Sequence, residues 1–205
     1  FSNVEIVNED ILKVDLPALL AGQAAGERVS VCANLPYYIT TPILMRLVEC
    51  GAPFESITVM VQAEVAARLT AAPGSADYGA ITASLCYYGM PKKLFTVTAG
   101  NFMPAPKVDS AVVRIDLYRD KPMKPQSPDL FFKVIRAAFG QRRKTLTNAL
   151  GTAFPTLTRE QLSDALASLG FDPRIRGERL STAEFSALAD ALLPLLPDAS
   201  DQNHA

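Results

Sequence analysis

An amide, a proline-stiffened turn and an aromatic ring follow one another at Asn34-Leu35-Pro36-Tyr37, at the end of the β-prone run Arg28 to Ala33. Open α/β sheets bind ligands at the carboxyl ends of their strands, so such a turn offers a flat slot with hydrogen-bonding groups along one edge. A nucleobase fits a slot of that kind. The exocyclic amine of adenine is a poor nucleophile, because its lone pair is delocalised into the ring. The Asn34 side-chain oxygen and a carbonyl of the turn could accept both of its N–H bonds and favour a pyramidal, reactive nitrogen, with Tyr37 stacked on the base. No general base of high pKa is needed while charge builds on nitrogen. The same four residues also suit an ordinary strand-ending turn.

That chemistry suits a chain whose single histidine, His204, lies in the polar stretch after Pro197. A Ser-His-Asp triad, a His-paired cysteine or a multi-His metal site has no histidine to use. Cys32, Cys50 and Cys86 sit in apolar stretches without C-x-x-C spacing and read as core thiols of a reducing compartment; the methionines read as core filling. No apolar run approaches the roughly 18 residues of a membrane helix, and 49% hydrophobic with 20% charged residues over 205 positions describes a globular chain. The net charge of −1 conceals a partition. Residues 1–90 hold 4 Lys/Arg against 9 Asp/Glu, residues 91–147 hold 12 against 4, and residues 148–205 hold 4 against 8. The basic middle, with Lys92, Lys93, Lys107, Arg114, Lys133, Arg136, Arg142, Arg143 and Lys144, reads equally as a phosphate-binding surface and as a solvated face.

The elements that would position the slot follow α/β grammar. Strands are expected at Val4 to Val7, Arg28 to Ala33, Ser56 to Gln62, Leu94 to Thr98 and Ser110 to Leu117, and helices at Pro42 to Cys50 (capped by Thr40 or Thr41), Glu64 to Thr70 and Ala80 to Tyr88. The last two strands, joined by the proline-containing loop Ala99 to Asp109, imply an antiparallel closure of a mostly parallel sheet. Lys121 to Pro128 reads as a linker. Beyond it lie a helix at Asp129 to Gly140, capping boxes at Thr158 and Ser181, and a helix stop at Gly170.

The Asn34 to Tyr37 turn, with Tyr38-Ile-Thr-Thr-Pro42 after it and Phe102-Met-Pro-Ala-Pro-Lys-Val-Asp-Ser-Ala-Val-Val113 farther on, resembles motifs of the ribosomal RNA adenine N6-dimethyltransferases of the KsgA and Dim type, with their Erm relatives. Val61 to Arg68, Asp77 to Ile81 and Gln141 to Leu150 extend the resemblance over most of the chain, and Leu35 with the Tyr38 stretch looks more like the small-subunit branch. The resemblance implies a class I, Rossmann-like methyltransferase sheet over 1–120 and a small all-helical domain over 121–205, its tail disordered from about 197. It assigns catalytic and base-binding roles to Asn34, Leu35, Pro36 and Tyr37, with Phe102 closing the other face of the base. Asp10 resembles the residue that accepts from the adenine amine of S-adenosylmethionine, the methyl donor, with Asn34 beside it; an Asp in that position is also often a helix cap. Lys107, Arg142, Arg143 and Lys144 become candidates for the RNA backbone. The resemblance further implies a cytoplasmic enzyme of small-subunit ribosomal RNA and its pre-ribosomal particle, with no metal and no membrane, monomeric at full length.

The family's Gly-rich donor loop and ribose-holding acidic residue have no counterpart before Asp10, so two βα units, the first two strands among them, are expected upstream of Phe1. The expected consequences are weak donor binding and self-association through an open edge at Arg28 to Ala33. A non-catalytic RNA-binding assembly module is the alternative function, and a DNA adenine methyltransferase a more distant one.

Overall fold

The computed structural model of the chain describes residues 1–21 and 27–197. After α1 (Leu16–Ala21), a βαβ unit is formed by β1 (Val29–Asn34), α2 (Thr40–Glu49) and β2 (Phe54–Gln62). Next come α3 (Ala63–Leu69), α4 (Ala80–Tyr88), β3 (Gly89–Val97) and β4 (Ser110–Leu117). The sheet runs β1-β2-β4-β3, with β1 parallel to β2 and β4 antiparallel to both of its neighbours. It is therefore mixed, not mostly parallel: β3 and β4 form the expected antiparallel closure and are half of the described strands.

Alternation decides which face is buried. Ile57, Val59 and Val61 of β2 stand opposite Ile115, Val113 and Ala111 of β4, all essentially inaccessible to solvent, and Val31 and Ala33 of β1 align with Ile57 and Val59. Burying each such aliphatic side chain stabilises the fold by about 1.5–3 kcal/mol. On α2, Ile43, Leu44 and Leu47 form one buried stripe. On the other face of the sheet Ser30, Cys32 and Asn34 are exposed, and β3 exposes Met90 and Phe95.

Four expectations are corrected. Val4 to Val7 forms no strand, and Val4 and Ile6 are 60% and 87% exposed, because local alternation alone does not make one. Cys32 is an exposed thiol on that open face, and Cys50 and Cys86 are only partly buried. Among the methionines, Met90 and Met103 lie at the surface. The α2 helix starts at Thr40 with no side-chain cap, since a 3-10 turn (Tyr37–Ile39) feeds directly into it and the Thr40 hydroxyl donates backwards to Pro36 O.

Everything after the linker is helical, as expected: α5 (Pro128–Gly140), α6 (Leu146–Ala153), α7 (Arg159–Ser168) and α8 (Thr182–Leu192). Thr158 and Ser181 form complete capping boxes. Gly170, at φ +81, ends α7 in a Schellman turn, with Phe171 N donating to Leu166 O and Gly170 N to Ala167 O.

Packing divides the described residues into two compact units, 1–66 with 88–119, and 67–87 with those from 120 on. The sequence suggested a single cut near 120. Residues 67–87 join the helical unit because the Tyr78 hydroxyl donates to Leu180 O at 2.9 Å, Thr182 donates to Ala83 O at 3.1 Å, and the buried Tyr87 ring packs on Phe131 and Phe132. The expected tail beyond 197, with His204, lies outside the described residues.

Candidate functional site

Backbone hydrogen bonds build the turn after β1. Leu35 N donates to Met60 O at 3.2 Å, carrying the β1/β2 ladder one residue past Asn34. Pro36 has no N–H to leave unpaired, and its carbonyl accepts from Ile39 N at 3.2 Å and from the Thr40 hydroxyl at 3.1 Å. The Leu35 side chain is buried and anchors the turn. Two acceptors remain open: among the described residues nothing bonds to the exposed Asn34 carboxamide or to the Leu35 carbonyl. The Tyr37 hydroxyl lies 2.7 Å from Oγ of Ser110, a buried residue opening β4, so the sheet fixes the ring.

The opposite wall comes from the β3–β4 connection. Phe102, Pro104 and Pro106 face Asn34, Leu35, Pro36 and Tyr37 across a cleft of 330 Å³. Asp109 pins the base of this wall, its carboxylate accepting from Ala99 N at 2.9 Å and its carbonyl from Ala63 N at 2.9 Å. The two motif segments thus form one slot with apolar walls and amide and carbonyl groups at its edge. Lys107 follows Pro106 and is exposed; Tyr38 and Met103, each next in sequence to an aromatic of the slot, are 86% and 100% exposed.

Asp10 does not line the cleft. Its Oδ1 accepts from Leu12 N at 3.0 Å and its carbonyl from Lys13 N and Val14 N, so it caps the turn over 10–14, and among the described residues Oδ2 stays open. Arg46 holds the far end of that turn, donating from Nη2 to Val14 O at 3.0 Å, while its Nε is buried without a partner among the described residues.

In the helical unit, Phe139 to Lys144 line a cleft of 500 Å³ after α5. The three cations there have different surroundings. Arg142 Nη2 donates to Ala76 O at 3.0 Å and Tyr78 O at 3.1 Å and lies 3.6 Å from the Glu178 carboxylate. Arg143 and Lys144 are exposed and, among the described residues, make no such bonds. Leu146 N donates to Ile175 O at 2.7 Å, bringing the stretch with Arg174, Arg176 and Arg179 beside this segment. Of the other basic residues, Lys92, Lys93, Lys107 and Arg114 belong to the first unit, with Arg114 paired to Asp116, and Lys133 and Arg136 to the second.

Sequence reasoning gave no role to Ser110, Asp109, Arg46 or the Arg174 to Arg179 stretch. Ser110 and Asp109 stood inside the quoted Val108-Asp-Ser110 run, which was the available signal; Arg46 and the arginine stretch carried none. Among the described residues no group of His, Cys, Asp and Glu has the makeup of a metal site, and no helix is long and apolar enough to cross a membrane.

A family model described as ribosomal RNA adenine dimethylase matches residues 1–185. The chain is 48% identical over 193 residues to the ribosomal RNA small subunit methyltransferase A of Lachnoclostridium phytofermentans, covering 94% of this chain and 67% of that protein. It is 46% identical over 199 residues to the protein of the same name from Geobacillus thermodenitrificans, covering 95% and 68%. The chain thus spans about two thirds of the length of these relatives. In fold it is similar to a dimethyladenosine transferase from Plasmodium falciparum (TM-score 0.67, 23% identity, 81% of this chain and 66% of that one). It is also similar to the 23S rRNA methyltransferase ErmE (TM-score 0.66, 22% identity, 93% and 72%).

Proposed function

We infer that this chain, which belongs to the ribosomal RNA adenine dimethylase family, binds a flipped adenine of small-subunit ribosomal RNA in the Asn34–Tyr37 slot and serves S-adenosylmethionine-dependent methylation of its N6. The single observation that carries this reading is the slot itself: two open acceptors, the Asn34 carboxamide and the Leu35 carbonyl, at the edge of a cleft walled by Tyr37 and Phe102.

The donor supplies an electrophilic methyl group when bound. The residues present fit part of it: Asp10 keeps one carboxylate oxygen free to accept from an adenine amine, and Asn34 stands at the strand end where such a donor meets the base. Asn34 Oδ1 and Leu35 O accept the two N6–H bonds, drawing the nitrogen lone pair out of conjugation. Tyr37, held by Ser110, and Phe102 stack on the two faces of the base, replacing the stacking lost when it leaves the RNA. Lys107, Arg143 and Lys144 contact phosphates in a sequence-independent way, while Arg142 is chiefly a tie between the 76–78 loop and α5. Small-subunit ribosomal RNA and its assembling particle are the partners, and the cytoplasm is where they meet.

The test is methyl transfer to small-subunit RNA with Asn34→Ala in the protein. Losing an acceptor that matters most in the transition state should lower kcat by about a hundredfold with little change in KM. An unaltered rate in a normally folded variant places the chemistry elsewhere.

A further inference from the structure

We propose that Tyr38 forms a second nucleotide subsite at the lip of the slot, stacking on the base that adjoins the flipped adenine. The proposal rests on the reading of the slot as an adenine site. Tyr37 and Tyr38 are consecutive in a 3-10 turn, where side chains diverge by about 120°, so the first is fixed to Ser110 in the slot wall while the second leaves in another direction. The Tyr38 side chain is 86% exposed, and among the described residues it has no ring contact, hydrogen bond or cation partner.

A lone exposed aromatic is ordinary on a protein surface. This one differs in three respects. Its backbone is held, because the Thr40 hydroxyl, directly after the turn, donates back to Pro36 O and Tyr37 O at its start. Across the slot, Met103 directly follows the wall residue Phe102 and is fully exposed, so apolar surface is presented on both sides. Lys107 follows the wall residue Pro106 and supplies a cation to the same connection. A base turned into the slot keeps its neighbours tethered outside by the sugar-phosphate chain. Those neighbours have lost one stacking partner, and an aromatic on a held backbone at the lip replaces it. Stacking reads a π-face and not an edge, so Tyr38 tolerates any neighbouring base and discriminates against a missing one.

The experiment measures binding of the chain, by fluorescence anisotropy, to a short oligouridylate with one central adenosine and to the same probe with abasic positions flanking that adenosine. Tyr38→Ala should weaken binding to the first probe by about 5- to 20-fold, while Tyr38→Phe stays within about twofold. The abasic flanks should cost the parent chain a similar factor and cost Tyr38→Ala nothing further. Parental affinity in Tyr38→Ala, or an equal loss on both probes, overturns the subsite. Tyr37→Ala separates the two readings: if it weakens binding and Tyr38→Ala does not, the slot stands and the lip fails; if only Tyr38→Ala weakens binding, the adenine slot fails. At 86% exposure the substitution removes no core packing, and circular dichroism verifies the fold.

Discussion

At the scale of single residues, the bond between Tyr37 and Ser110 couples the slot to the sheet. Tyr37→Phe keeps the ring but strands a buried hydroxyl on Ser110, so it should cost about 1 kcal/mol of stability in denaturant titration and raise KM for RNA with kcat preserved. Tyr78 makes a different prediction. Burial pushes its phenol up from the ordinary value of 10 to about 12, with the Thr182 hydroxyl opposing and charge on Cys86 and Glu184 adding to the rise. The neutral form is thus favoured in the folded state. The stabilisation is complete below pH 10 and is lost, to an extent of about 2–3 kcal/mol, as the pH rises through about 12. Tyr78→Phe should abolish this alkaline slope in denaturant titrations while costing about 1 kcal/mol at neutral pH, because Leu180 O loses its donor. That Asn34 to Tyr37 form one wall of a cleft was legible from sequence, since the four residues are consecutive. The partner of Tyr37 was not, because a bond spanning 73 positions has no local sign.

Among the elements, the segment after α5 carries three adjacent cations with unequal roles. Arg142→Ala should lower the stability of the helical unit by about 1 kcal/mol, through two orphaned carbonyl contacts, and leave the salt dependence of RNA binding nearly unchanged. Arg143→Ala and Lys144→Ala should spare stability and each flatten the log–log salt slope by about 0.7–0.9. Equal slopes across all three variants would remove the distinction. From the sequence these residues are one basic run; only the positions of Ala76, Tyr78 and Glu178 sort them. The same limit explains the elements that were misread. β4 matched its β-rich run to the residue, and both capping boxes were readable within four positions. β3 begins at Gly89, five residues before the expected start, because pairing with β4 extends it through Lys92 and Lys93 to a register shift at Leu94. Local propensity misses what a neighbour imposes.

At the scale of the molecule, the sheet has two inner strands and two outer ones. Backbone amides of β2 and β4, paired on both sides, should exchange most slowly in the first unit; those of β1 and β3 should be faster and Val4 to Val7 fastest, as measured by hydrogen exchange with mass spectrometry. Strong protection at Val4 to Val7 would show that the segment is a paired strand after all. The grouping of 67–87 with the helices follows the same logic of scale. Sequence order places those residues among the strands, but Tyr78, Ala83 and Tyr87 find partners beyond position 120.

The slot can be viewed as a vise with one fixed jaw and one adjustable jaw. The Asn34–Tyr37 side is continuous with β1 and α2 and is bonded to Met60 and Ser110, so displacing it means opening the sheet. The Phe102–Pro106 side is tied at its base, where Asp109 holds Ala99, and its tip carries the exposed Met103. Fitting a base of another size therefore falls on the proline jaw alone. Variants selected for a changed base should accumulate between Ala99 and Asp109, while the Asn34 turn, which in the proposed function sets where the reactive nitrogen sits, stays as it is.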